Sequence, residues 1–249
     1  MKKLLVILSI LIFIAFTAPC FAQQQMLGVL ARKNAGGVVE YTKYVTNNTD
    51  TFNSIAYDAG NMWTGVNDTQ LAKATPATNS NAAATLGLSN YSEANISTAT
   101  IVFTGLSNIP ATATVKSITL GYYVSHAMTT TSSITSHRLL LNHVVTEETW
   151  NIYSTGNNWN TAGAAYNDLD RSSTVSNVIA TGTTTGWKTT GVLEAGQLMT
   201  DVQNFIDGGN SNYGWVIYMP DAPADEYLTI TSSDGTDGQR PYLKIIYDN

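Results

Sequence analysis

The stretch from Leu193 to Met219, LEAGQLMTDVQNFIDGGNSNYGWVIYM, decides the fold. Its first half has the 3.6-residue apolar period of an amphipathic helix, which we predict over residues 194–207. The glycines of Asp207-Gly208-Gly209 end that helix, because glycine adopts the left-handed conformation found at helix C-termini. Residues 213–219 are apolar and β-rich, and they predict a buried strand. The apolar face of the helix consists of Leu198, Met199, Val202, Phe205 and Ile206.

The remainder of the chain has the pattern of short strands separated by turns rich in Gly, Ser, Thr and Asn. A single short helix among strands predicts an all-β fold, and we expect a jelly-roll-like antiparallel β-sandwich. Residues 97–249 should form its core, and residues 23–96 should complete it with strands and polar loops. Two stretches lack strand periodicity: residues 58–92, with a low-complexity loop at 72–84, and a long loop at 149–175. Strands are predicted at 38–45, 52–57, 98–103, 115–124, 134–145, 187–193, 213–219, 227–232 and 242–247.

The N-terminus has the pattern of a secretory signal peptide. Lys2 and Lys3 precede a short apolar run, and small residues lead to a predicted cleavage site after Ala22. The run is shorter than the ~20 residues that a membrane-spanning helix needs, so we expect a secreted mature chain without a transmembrane segment. Cys20 offers the alternative of lipid attachment, but Pro19 occupies the position where lipoproteins have a small residue.

The composition argues against nucleic acid as a partner. Only 12% of the residues are charged, and the formal net charge is −6. Loss of the two leader lysines would make the net charge −8, and nucleic acid binding requires the opposite sign. Cleavage would also remove the only cysteine, so the mature chain would have no disulfide. We therefore expect an extracellular or cell-surface protein that does not bind nucleic acid.

Several segments occur in an order typical of one family: GLSNIPATATV from Gly105, KSITLGYYV from Lys116, TEETW from Thr146, GNNWNTAGAAYNDLD from Gly156, NSNYGWVIY from Asn210 and RPYLKIIY from Arg240. Together they resemble the DNRLRE domain, a family that overlaps carbohydrate-binding module family 96 and the disaggregatase-related repeats, over about two-thirds of the mature chain. The resemblance implies an extracellular jelly-roll-like sandwich that binds polysaccharide, in some members an acidic one such as alginate. One departure is Ile101-Val102-Phe103-Thr104, which lacks the charged pair of the family's strand end.

Four aromatic residues outside the predicted strands are candidates for binding sugar. Exposed aromatic rings stack on the C–H faces of sugars, and each such contact contributes about 1 kcal/mol by analogy with aromatic pairs. The alternative is that the tryptophans anchor the loops on the sandwich, since tryptophan is usually well buried. The candidates are Trp63, Trp150, Trp159 and Tyr166.

Asp168 and Asp170 form an oxygen-rich cluster with Asn167 that could bind calcium. Calcium takes about 6–8 oxygen ligands, and it would stabilise a loop that has no disulfide. The alternative is a solvated turn in which these side chains bind backbone N–H groups. No EF-hand spacing accompanies the two aspartates.

The sequence carries no signature of a common enzyme class. The motifs of serine hydrolases, nucleotide-binding loops and zinc sites are absent. His137 and His143 would share one face of the predicted strand 134–145, with Arg138 on the other, which argues against a joint His–Arg site of a polysaccharide lyase. Glu147 and Glu148 are expected in a turn.

These observations together favour a secreted, non-catalytic carbohydrate-binding module that recognises an extracellular polysaccharide. The alternative is a structural or adhesive subunit of a cell surface or filament, which self-associates without binding sugar. A polysaccharide lyase is the third possibility.

Overall fold

A computed structural model of the chain describes residues 32–33, 39–48, 62–90, 94–165, 167–221 and 225–249. The predicted leader with its cleavage site at Ala22, the predicted strand 52–57 and Tyr166 lie outside these residues. The chain is mostly β, as predicted. The strands are Arg32–Lys33 (β1), Val39–Thr46 (β2), Met62–Trp63 (β3), Val66–Ala72 (β4), Thr85–Asn90 (β5), Ile96–Phe103 (β6), Thr114–His126 (β7), Ser133–Leu139 (β8), Ile152–Ser154 (β9), Asn157–Asn158 (β10), Arg171–Ala180 (β11), Gly186–Thr189 (β12), Trp215–Tyr218 (β13), Tyr227–Thr231 (β14) and Tyr242–Asp248 (β15).

The strands form two facing layers, which confirms the all-β sandwich; the jelly-roll order stays a prediction. The first layer has the order β1-β2-β15-β7, with β3 beside β2 and β12 beside β7. The second has the order β5-β6-β13-β8-β11, with β4 paired to β6. Strand β14 pairs with both β7 and β5, and it thereby joins the two layers. Neighbouring strands are antiparallel except for β2 and β3.

The core lies between the layers, because alternate residues of each strand point inward. Strand β7 contributes Ile118, Leu120 and Tyr122, and β13 contributes Trp215 and Ile217 from the opposite side. The other face of the second layer, which we call the outer face, carries Val216, Tyr218, Leu139 and Leu71. A second apolar cluster forms there beneath the segment 140–170.

The predicted helix is present and closes one end of the sandwich. Helix α1 spans Gln197–Ile206, beginning three residues later than predicted, since Gly196 at its N-terminus has φ +112°. Its buried residues Leu198, Val202 and Ile206 join the core, and the helix contacts one strand of each layer, β7 and β11. A short 3₁₀ helix, Thr104–Asn108, packs beside it.

Asp201 is a buried residue of α1 that the apolar period does not reveal. Its carboxylate accepts hydrogen bonds from Ser176 Oγ at 2.6 Å and Trp215 Nε1 at 3.2 Å. Its other oxygen lies 3.5 Å from Arg138 Nε. These partners satisfy a charge that would otherwise destabilise the interior, and they fix the helix on the second layer.

Three sequence predictions need correction. The strand expected over 134–145 ends at Leu139, and the loop expected over 149–175 contains the hairpin β9–β10 and already becomes β11 at Arg171. The unpatterned region 58–92 contains β4 and β5, whose Thr, Asn and Gln residues obscure the strand period, although residues 73–84 are a loop as expected.

No helix in the described ranges is long and apolar enough to cross a bilayer.

Candidate functional site

A groove of about 450 Å³ opens on the outer face of the second layer, and most of its lining is apolar. Trp150, Ala162 and Gly163 from the segment above the sheet form one side, and Tyr218 and Met219 at the end of β13 contribute to another. Two basic residues also line it, Lys73 after β4 and Arg171 at the start of β11. Aromatic rings and cationic groups therefore meet in one open depression.

The strand alternation puts Tyr218 in this groove. Trp215 and Ile217 point into the core, so Val216 and Tyr218 point to the outer face. The Arg171 guanidinium lies 4.5 Å from the centre of the Tyr218 ring, a cation–π contact. The phenol oxygen lies 3.1 Å from His137 Nε2. Both contacts hold the half-buried ring of Tyr218 in a defined orientation.

His137 is a neutral imidazole that holds the Tyr218 side chain in place. Burial lowers its pKa, and the Arg171 charge acts in the same direction, against the effect of the Ser172 carbonyl. Nδ1 lies 2.8 Å from that carbonyl, so it donates the hydrogen bond. The unprotonated Nε2 then accepts the hydrogen bond of the Tyr218 hydroxyl.

Trp150 and Trp159 anchor the segment 140–170 on the outer face, which is the alternative role considered from sequence. They are only 8% and 5% exposed, and they pack in the second apolar cluster. Trp159 Nε1 donates to the Thr149 carbonyl at 3.0 Å. Gly163 lies directly against the Trp150 ring, since a Cβ atom there would be 2.4 Å from Cζ3. Trp150 nevertheless forms part of the groove wall.

The predicted aromatic residues do not form one site. Trp63 lies on β3 in the first layer, where it packs on the core and where Lys43 Nζ lies 5.1 Å from its ring. Among the described candidates, the groove includes Trp150 alone. Tyr218, Arg171 and Lys73 were not among the predicted site residues. The alternation of residues 215–218 would have assigned Tyr218 to the face opposite Trp215.

The two aspartates proposed for calcium bind different partners. Asp170 is buried, and its carboxylate accepts from the backbone N–H groups of Asn160 and Thr161, both at 2.8 Å. Asp168 is exposed and accepts from Ser173 N at 3.0 Å and Ser173 Oγ at 2.7 Å, which lowers its pKa. The exposed Asp168 has the geometry of the solvated turn alternative, whereas the buried Asp170 does not. Within the described residues, no three His, Cys, Asp or Glu side chains come together as a metal site, and calcium binding stays a prediction.

A second cavity, of about 390 Å³, lies beside β4 and contains two carboxylates, Asp68 and Asp234, in its lining. Asp68 is 1% exposed; its Oδ2 accepts from Ser233 N at 2.7 Å, while Oδ1 has no partner in the described structure. Burial raises the pKa of Asp68 to about 7; the Asp234 charge adds to this, and the Ser233 hydrogen bonds oppose it. Asp68 thus stands out as an incompletely satisfied buried acid.

His143 borders the second cavity, but both its ring nitrogens have partners. Nδ1 lies 2.9 Å from Glu148 Oε2, and Nε2 lies 2.7 Å from the Tyr213 carbonyl. Burial alone would lower its pKa, but the bond to Glu148, the charge of Glu148 and the Tyr213 carbonyl together raise it. Glu148 also accepts from the Thr100 hydroxyl. His143 is therefore a structural residue after the end of β8, so the prediction that it shares a strand face with His137 is wrong.

Comparison of the chain with protein-family models and with curated proteins gives no match. The resemblance to the DNRLRE domain therefore stays a prediction.

Proposed function

We propose that this chain is a secreted, non-catalytic module that binds an extracellular polysaccharide in the groove of the outer face. The observation that carries the proposal is the meeting of Trp150, Tyr218, Arg171 and Lys73 in one open, mainly apolar depression. Open grooves with aromatic walls suit an extended chain of sugar units, because each ring has apolar C–H faces and polar edges.

The two basic residues favour a polysaccharide that bears carboxylate groups. Arg171 donates from Nε to Asn167 Oδ1 at 3.1 Å. Among the residues that the structure describes, its terminal guanidinium nitrogens have no hydrogen-bond partner, and such nitrogens can donate the paired hydrogen bonds that a carboxylate accepts. Lys73 adds a second positive charge in the same groove. The chain as a whole is acidic, so this local positive charge would select where such a ligand binds.

Affinity electrophoresis in gels that contain either carboxylated or neutral polysaccharides tests the proposal. We expect retardation in the carboxylated gel, and a loss of about tenfold in affinity for Lys73→Gln, because a charge-assisted hydrogen bond contributes about 1.5–3 kcal/mol. Lys188→Gln is the matched control, since Lys188 is a lysine of β12 in the first layer. Absence of retardation in every gel would count against the proposal.

A second pair of variants tests the aromatic contribution. Tyr218→Ala should weaken binding severalfold, in line with about 1 kcal/mol for a stacking contact. Tyr227→Ala is its control, because Tyr227 is 49% exposed and lies on β14, outside the groove. Equal effects of the two substitutions would place the sugar elsewhere.

A further inference from the structure

A buried histidine–glutamate pair joins segment 140–170, which we call the cover, to the outer face of the second layer. His143 Nδ1 lies 2.9 Å from Glu148 Oε2, and the two side chains are 2% and 0% exposed. The other oxygen of the carboxylate accepts from the Thr100 hydroxyl on β6. His143 Nε2 lies 2.7 Å from the carbonyl oxygen of Tyr213, two residues before β13. The pair therefore ties the cover to two neighbouring strands of the layer beneath it.

The partners of the His143 ring fix the number of protons at this pair. The Tyr213 carbonyl can only accept, so Nε2 carries a hydrogen and donates it. The Glu148 carboxylate also only accepts, so a second proton must lie between Nδ1 and Oε2 for these atoms to be bound at 2.9 Å. Without that proton, two lone pairs would face each other in a buried site. The contact is therefore complete only while His143 and Glu148 share one proton.

The charged groups around the pair favour its protonated state. The second cavity, which His143 borders, is lined by Asp68 on β4 and Asp234 after β14, and its described lining contains no lysine or arginine. From the cover itself, the uncharged ring of Trp159 lies 6.4 Å from the His143 ring, and Glu147 is exposed to solvent. These described surroundings are neutral or negative, which stabilises a positive ring.

The pair is connected to the groove by the chain that follows Glu148. Trp150, two residues later, forms part of the groove wall, and the intervening Thr149 carbonyl accepts from Trp159 Nε1 at 3.0 Å. Neither His143 nor Glu148 lines the groove, so both are positioning residues. We propose that the proton shared by His143 and Glu148 is a latch that holds the cover on the second layer, and that its loss to solvent at higher pH opens the cover and the Trp150 wall.

The pH window of the latch follows from the pKa of His143. Burial lowers this pKa, but the hydrogen bond and charge of Glu148 and the Tyr213 carbonyl raise it above the ordinary 6.5. In the open cover, an exposed His143 would return to a pKa of about 6.5. The closed cover therefore has the full stabilisation below about pH 6.5 and loses it as the pH rises through the raised pKa. Because one proton is involved, closure weakens about tenfold per pH unit within that window.

Hydrogen exchange of the full chain, followed by mass spectrometry between about pH 6 and pH 9, tests the latch without sugar. After correction for the intrinsic exchange rate, protection of residues 146–163 should fall about tenfold per pH unit above about pH 6.5 and then level off. Protection of β7 should change less, because this strand lies in the first layer and packs in the core between the layers.

Glu148→Gln should remove the pH dependence while it keeps the contacts. Its amide N–H can donate to the Nδ1 lone pair of a neutral His143 ring, and its amide oxygen can still accept the hydrogen bond from β6. Protection of the cover in this variant should therefore be independent of pH. Glu147→Gln is the matched control, because this exposed carboxylate accepts from Thr155 N at 2.8 Å and lies outside the pair. It should keep the pH dependence of the unmodified chain.

The consequence for binding rests on the proposed function and is measured separately. Retardation in a gel that contains carboxylated polysaccharide should weaken over the same pH window for the unmodified chain, but not for Glu148→Gln. If no gel retards the chain at any pH while protection of the cover falls as expected, the proposed function fails and the latch stands. Retardation that stays constant while the cover opens overturns the connection to the groove.

Protection of the cover that does not change between about pH 6 and pH 9 overturns the latch, and so does an equal pH dependence in Glu148→Gln. If Glu148→Gln does not fold, NMR of the imidazole nitrogens in the unmodified chain decides. The His143 ring should still be mainly protonated at about pH 6.5, and a neutral ring at that pH refutes the shared proton.

Discussion

Asp68 makes the stability of this protein sensitive to pH, and Asp68→Asn should remove that sensitivity. Burial raises the pKa of the folded carboxyl from the ordinary 3.8 to about 7. The folded state therefore holds the Asp68 proton more tightly than the unfolded state does. Its contribution to stability is greatest below about pH 4 and is lost as the pH rises towards 7.

The magnitude follows from the two pKa values. One pKa unit corresponds to about 1.4 kcal/mol, so ionisation of Asp68 destabilises the folded chain by up to about 4 kcal/mol. Asparagine has nearly the same shape, can still accept the hydrogen bond from Ser233 N through its amide oxygen, and does not ionise. The variant should therefore gain stability over the unmodified chain as the pH increases.

Urea unfolding between pH 4 and pH 8 provides the measurement. The free energy of unfolding of Asp68→Asn minus that of the unmodified chain should rise by a few kcal/mol across this range. Other titrating groups cancel in the difference. Asp168→Asn is the control: the pKa of Asp168 is lowered, so its effect changes only below about pH 4. A difference for Asp68→Asn that stays flat with pH would refute the reasoning.

Four other outcomes can be measured directly. Asp201→Ala should lower the free energy of unfolding by about 3 kcal/mol, because it leaves the buried partners of the carboxylate unpaired; a loss below 1 kcal/mol would mean that water replaces it. Gly163→Ala should cost about 2 kcal/mol in chemical unfolding, since its φ is +79° and its Cβ would overlap the Trp150 ring, and an unchanged midpoint would contradict that packing. The calcium prediction requires that chelation lower the melting temperature and that Asp170→Asn abolish the difference; an unchanged melting temperature excludes it. N-terminal sequencing of the exported chain should begin at Gln23, and a retained leader would contradict the signal-peptide prediction.

Elements that bury one face and expose the other could be predicted from the sequence, because their apolar residues recur at regular spacing. Helix α1 and strand β13 were found because apolar spacing within each is regular and glycines mark the boundary. Strands β4 and β5 were missed, since polar residues interrupt their apolar alternation and Val66 and Leu71 of β4 lie on opposite faces. Composition cannot distinguish such a strand from a loop when its partner is distant in the sequence.

The groove was only partly predictable for a related reason. Trp150 was identified by residue type, but its burial depends on Gly163 and on strands that lie far from it in the sequence. Lys73 and Arg171 are almost a hundred residues apart and line one groove only because β6, β13 and β8 join their strands into one layer. The residues of this groove come together through the order of the strands in the sheet. No short stretch of the sequence contains them all, so no local motif predicts the groove.

The tryptophan-centred cluster on the outer face contains none of the residues that pack between the layers. Segment 140–170 therefore covers the outer face through an apolar cluster that is separate from the core between the layers. Heating should therefore open this cover, and with it the wall of the groove, before the two layers unfold. The same separation allows substitutions in the cover to reshape the wall of the groove with little effect on the core between the layers.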